Sequence, residues 1–298
     1  MPITLPLLRA RGTSRPIGLA AALTLLAAPL AAQSPAPCAD GALPATTDSV
    51  RVSIVATVTS RDTGVAELPA EYTSKLVSAL APHFQAPAGP FTVLTTLGAA
   101  PTLGGAAPAA GSVLVPALGT RAFIIVRKDG SVAKLDMITQ SMSLDIEDAI
   151  EAALHAADSA HTLPALPDAI KRDSMPITIT LRVAAAADHP AGELTQTTLP
   201  KYTGVTLPAA QDAGLKAIAY PKADIPADAV ELQFVIDAAG APLPITFDTE
   251  KVSYRESLDA VIDGLPKVKY SPAQVAGCPV SFSVMQTFSF DPKNKDKR

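Results

Sequence analysis

Apolar and polar residues alternate from Val50 to Thr59, with Val50, Val52, Ile54 and Ala56 on one side, which predicts a half-buried strand. After Pro69 the period changes to that of a helix. Tyr72, Leu76, Val77 and Leu80 form its apolar stripe, and Pro69 fits the first turn, where a missing N–H is harmless. The helix should stop near Pro82-His83, and Phe91–Leu97 reads as a second strand. Ala122–Val126 is a third. Lys128-Asp129-Gly130 predicts a tight two-residue hairpin turn, and Val132–Thr139 returns antiparallel. Ser143 is placed to cap a helix with Asp145, Glu147 and Asp148 in its first turn and Ile146, Ile150, Ala153, Leu154 and Ala157 on its buried stripe. Pro164 and Pro167 end it, and Ile177, Ile179 and Leu181 mark a closing strand.

The same order returns near the C-terminus. Val230–Asp237, Ala238-Ala239-Gly240 and Pro242–Thr249 predict a hairpin. Ser253 and Glu256 fit a capping box for a helix with core positions Tyr254, Leu258, Val261, Ile262 and Leu265, stopped by Gly264. The last strand puts Val280, Phe282, Val284, Gln286, Phe288 and Phe290 on one face. Ser281, Ser283, Met285, Thr287 and Ser289 take the other. Phe123–Leu181 and Phe234–Phe290 thus share one plan, which reads as a degenerate internal repeat. The predicted class is α+β, with two small domains, each an antiparallel sheet plus helices, at 48–183 and 220–291. Gly98–Gly119 is read as a mobile Ala/Gly/Pro loop with a short strand at Val113-Leu-Val115, and 184–219 as a linker.

Charge and composition narrow the function. A net charge of -4 and a pI near 5.6 over 298 residues exclude a basic nucleic-acid footprint. The basic tail 292–298 reads as a solvated end. Residues 1–32 have the form of a secretory signal: Arg9, Arg11 and Arg15, an apolar run Ile17–Leu30, then Ala31-Ala32. The run is shorter than the ~20 residues of a spanning helix, which favours cleavage over an anchor. Residues 33–47 read as a flexible leader. The expected location is periplasmic. An oxidising compartment leaves two states for Cys38 and Cys278, a bridge across a long loop or separate thiols.

Several short motifs then fall in a fixed order. Tyr220-Pro221 precedes the strand Phe234-Val-Ile-Asp237 and its Gly240 turn, then come Tyr270-Ser-Pro272-Ala273 and Gly277-Cys-Pro279-Val280. On these residues the stretch 220–290 resembles the C-terminal domain of the TonB family. The resemblance implies a β-β-α-β module that recognises an extended peptide by strand addition, with an outer-membrane transporter or another envelope protein as partner. The edge it implies is the last strand, through Val280, Phe282, Val284, Gln286 and Phe288. The alternative is a scaffold protein of the envelope, monomer or homodimer, with that edge covered by the first domain. Ile225-Pro-Ala-Asp228 replaces the family's usual glycine before the first strand, and a folded region at 41–190 replaces its long spacer.

Nothing in the pattern suggests catalysis or a cofactor. His83, His155, His161 and His189 sit in unrelated segments without metal-ligand spacing. Phosphate loops, nucleophile elbows and dinucleotide fingerprints are missing from the sequence. Asp145, Glu147, Asp148 and Glu151 read as a solvated helix face.

Overall fold

The computed structural model describes residues 43–60, 68–97, 101–103, 112–138, 144–186, 190–211, 218–221, 226–251 and 253–291. The signal segment, Cys38, Ser143, His189 and the tail 292–298 lie outside them. In chain order the elements are β1 (Ser49–Ser60), α1 (Ala70–Leu80), β2 (Val93–Thr96), β3 (Leu114–Pro116), β4 (Thr120–Arg127), β5 (Val132–Ile138), α2 (Leu144–Ser159), β6 (Ser174–Ala185), β7 (Glu193–Pro200), β8 (Ala209–Ala210), β9 (Asp228–Ile236), β10 (Pro242–Lys251), α3 (Arg255–Gly264), β11 (Tyr270–Ser271), β12 (Ala273–Val275) and β13 (Cys278–Phe290). The class is α+β.

Two sheets carry two cores. The first has the order β5-β4-β6-β1-β7, with every neighbouring pair antiparallel. Ala122, Ile124 and Val126 of β4 and Ile177, Ile179 and Leu181 of β6 meet the stripe Ile146, Ile150, Ala153, Leu154 and Ala157 of α2. Tyr72, Leu76, Val77 and Leu80 of α1 complete this core. The second sheet has the order β10-β9-β13-β2-β3, with β12 pairing β13. Its core joins Val230, Leu232, Phe234 and Ile236 to Phe282, Val284, Phe288 and Phe290, under Val261 of α3 and the turn holding Leu265.

The internal repeat is present as topology. In the first half the hairpin β4–β5 is followed by α2, and β6 returns beside β4. In the second the hairpin β9–β10 is followed by α3, and β13 returns beside β9. The two turns match bond for bond. Arg127 N–H donates to Ser131 O at 2.8 Å and Gly130 N–H to Arg127 O at 2.9 Å. Asp237 N–H donates to Ala241 O at 2.9 Å and Gly240 N–H to Asp237 O at 3.0 Å. Asp129 and Asp237 each accept backbone N–H groups further along their own turn. The first turn is therefore not the two-residue form expected from Asp129-Gly130. Only Gly130 has a positive φ, +93°, so the loop holds three residues and closes with a glycine bulge.

The two-residue turn lies elsewhere, between β12 and β13. Val275 pairs with Cys278, and Ala276 and Gly277 between them have φ of +50° and +81°. Alanine is a poor residue for that conformation, and asparagine tolerates it better. Ala276→Asn should therefore raise stability by about 0.5–1 kcal/mol, read as a higher melting temperature.

The division into two domains and a linker does not hold. The described residues fall in one compact unit. β7, inside the supposed linker, is the edge of the first sheet, while β8 pairs with β11 and Thr206 bridges Gln274. β2 and β3, read as part of the first domain, belong to the second sheet. On β3, Leu114 packs in the second core and its neighbour Val115 in the first, so one short strand serves both. Tyr202 N–H donates to Leu114 O at 3.0 Å and ties the end of β7 to it. Parts of the Gly98–Gly119 loop are thus structural, and 98–100 and 104–111 lie outside the described residues.

Helix α3 corrects two further expectations. Its N-cap residue is Tyr254, which makes no side-chain capping bond, so Ser253 and Glu256 do not stand at the N-cap and third helical positions that a capping box needs. Asp228, at the start of β9, sits at this helix start instead. Burial pushes its carboxyl up, but the polar groups around it, the Ser257 and Ser253 hydroxyls and the backbone of Ala229 and Tyr254, outweigh this and leave the pKa lowered, although neither Ser257 Oγ nor Asp228 Oδ2 makes a formed hydrogen bond. Tyr254 and Ile262 are 36% and 41% exposed, so they are not core positions. Glu147 is also unlike its expectation: at 6% exposed it is buried on α2 rather than part of a solvated face.

Candidate binding edge

Strand β13 alternates as its sequence predicts. Val280, Phe282, Val284, Gln286, Phe288 and Phe290 are all buried on the α3 side, and Ser281, Ser283, Met285, Thr287 and Ser289 face the other way. The candidate binding side chains are therefore core. Their partners across β9 follow a regular antiparallel register, from Phe282 opposite Ile236 to Phe290 opposite Asp228.

The opposite rim of β13 is not free over its first half. β2 runs parallel to it, with Ser281 beside Val93 and Phe282 beside Leu94. Further along, Met285 N–H donates to Pro101 O at 2.9 Å, and Leu103 N–H donates to Met285 O at 2.7 Å. At its start β13 pairs with β12. The expectation of a free edge at Val280–Phe288 is thus corrected over Val280–Met285. An internal strand of a sheet needs its main-chain groups satisfied on both sides, and here the N-terminal half supplies the second side. Local periodicity could not show this, because β2 and β13 lie far apart in sequence. The nearest signal was the short β-branched run Phe91–Leu97.

The motif residues converge on one corner of the second core. Tyr270 is buried, its ring 5.9 Å from that of Phe234 at 56°, and its hydroxyl donates to Gln286 Oε1 at 2.8 Å. That bond satisfies two polar groups that the core would otherwise leave unpaired. Burial pushes the Tyr270 hydroxyl well above the usual tyrosine range. Tyr270 N–H donates to Gly240 O at 2.9 Å. Gly240 has φ +83°, and a Cβ on it would stand 2.0 Å from Tyr270 O and 3.5 Å from Pro272 Cδ. Tyr220 packs edge-on against Phe290 at 5.9 Å, beside buried Pro221. Gly277 makes the last turn, and Pro279 of β13 faces Gln274 of β12. These residues build the frame of the module rather than a contact surface.

Cys278 is disulfide-bonded, and Cys38, the only other cysteine of the sequence, lies outside the described residues. Among the described residues no group of three His, Cys, Asp or Glu is arranged to hold a metal ion. His155 stands 3.6 Å from Glu151 on α2, His83 ends the short helical turn after α1, and His161 follows the end of α2. Among the described residues no helix is long and apolar enough to cross a membrane. Comparison with protein-family models, with curated proteins and with solved structures finds no match for this chain.

Proposed function

We propose that the protein is an exported, non-enzymatic scaffold of the cell envelope, built from two fused β-β-α-β modules of TonB-like order. The observation that carries this reading is that both modules complete their last strand within the chain. β6 is flanked by β1, and β13 by β2 and Pro101–Leu103. Over Val280–Met285 the main-chain rim that a TonB-like module would present to a transporter is used internally. The disulfide at Cys278 suits an oxidising compartment.

Energetics favour this over peptide addition at β13. A peptide would have to displace β2 and β3, whose Val93, Leu94, Leu114 and Val115 are 3%, 0%, 6% and 0% exposed. At roughly 1.5–3 kcal/mol for each buried side chain, exposure would cost on the order of 6–12 kcal/mol. A peptide that bound at micromolar strength, a net gain of about 8 kcal/mol, would have to recover this cost in addition. Amide exchange and chemical-shift mapping test the reading. The amides of Ser281–Met285 should exchange slowly and stay unshifted when transporter N-terminal peptides are added. Peptide-dependent shifts along β13, with loss of protection in β2, would instead support strand addition.

A further inference from the structure

β5 is the outer strand of the first hairpin, and among the described residues β4 is its one strand neighbour. Lys134 and Asp136 lie on the face turned away from α2 and pair with each other, with side chains 55% and 48% exposed. Leu135 and Met137 lie on the other face and pack only partly against the first core. At the start of the strand, Val132 N–H donates to Asp158 Oδ1 of α2 at 2.8 Å. Among the described residues the rim beyond it is an unpaired sheet edge, which attracts a further strand unless guarded.

Val132-Ala-Lys134-Leu135-Asp136-Met-Ile138 is complementary to its own reversal about Leu135: apolar positions mirror apolar ones, and Lys134 mirrors Asp136. We propose that β5 is a homodimer edge, on which β5 of a second copy adds antiparallel about a two-fold axis at Leu135. In that register Lys134 faces the partner's Asp136 and Asp136 faces the partner's Lys134. Apolar positions meet apolar ones along the rest of the strand.

Charge also fixes the register. A slip of two residues one way sets Lys134 against the partner's Lys134, and the other way sets Asp136 against the partner's Asp136. A slip of one turns the charges toward the core face. Edge strands that only repel partners carry like charges or a lone lysine. This edge opposes the antiparallel registers on either side of the self-complementary one. The contact is isologous and closes at two copies, so it does not propagate into a fibre. It is independent of how β13 is read.

Sedimentation of the full chain at rising concentration tests the proposal. A monomer–dimer equilibrium that weakens with salt is expected. Lys134→Asp and Asp136→Lys, each placing like charges opposite one another twice, should each weaken it by about tenfold or more. The double variant carrying both exchanges restores opposite charges by symmetry and should return to within about threefold of the unmodified chain. Both side chains are exposed, so melting temperatures should stay unchanged and separate lost association from lost folding. A chain that stays monomeric up to about 1 mM overturns the proposal. So does a dimer indifferent to both single exchanges, or a double variant that stays as weak as the single ones.

Discussion

Gly240→Ala is expected to destabilise the protein by roughly 3–5 kcal/mol, or to prevent folding. Two costs add. The backbone has φ +83°, which disfavours any residue with a Cβ by about 1 kcal/mol. The new methyl would also stand 2.0 Å from Tyr270 O, a main-chain atom, so the hairpin and the connection after α3 would have to part. That movement would break the Tyr270 N–H bond to Gly240 O and disturb the Tyr270–Gln286 pair beneath it. Gly277→Ala separates the two costs, because its φ is +81° but its Cβ would meet nothing within 4 Å. It should lose only about 1 kcal/mol. Denaturant midpoints at unchanged slope would measure both, and equal losses for the two variants would refute the close-approach argument. Gly130, where a Cβ would stand 2.6 Å from Leu163 O, is the equivalent position in the first module.

Leu94→Ala should cost about 2–5 kcal/mol, and the loss should be felt by the whole molecule. Leu94 is fully buried beside Phe282, on a strand that reaches from the first half into the second sheet. If β2 were a loosely held strap, its truncation would free the rim of β13 and leave stability nearly unchanged. As an integral strand it should lower the unfolding midpoint of both cores together. Probes reporting separately on each sheet would show one shared transition. A small loss accompanied by new peptide binding at β13 would favour the strap.

What was readable from the chain was local. The stripes of α1 and α2, the two faces of β13 and the repeated hairpin-helix-strand order follow from periodicity alone, because each depends on residues within one element. The glycine turns were readable because left-handed backbone selects few residue types, although Asp129-Gly130 did not reveal that its loop holds three residues. The long-range decisions were not readable. Nothing in Phe91–Leu97 says which sheet it will join, and that choice turned the candidate edge into an internal strand. Helix α3 is another case: Ser253 and Glu256 have the spacing of a capping box, yet Asp228 from β9 occupies the helix start. Ile262 fits the helical period and is still 41% exposed, while its neighbour Val261 and Leu265 just after the helix are the residues buried in the second core.

The lending of β2 and β3 to the second sheet also sets an order of events during synthesis and export. These two strands emerge early, but β13, on which β2 pairs and through it β3, is almost the last part of the chain to be made. Until then Leu94 and Leu114, which belong to the second core, have no lasting shelter, and a pairing between such distant segments is slow to close. Folding to completion therefore awaits arrival of the whole polypeptide, and neither half is a self-sufficient fragment to be cut out and expressed alone.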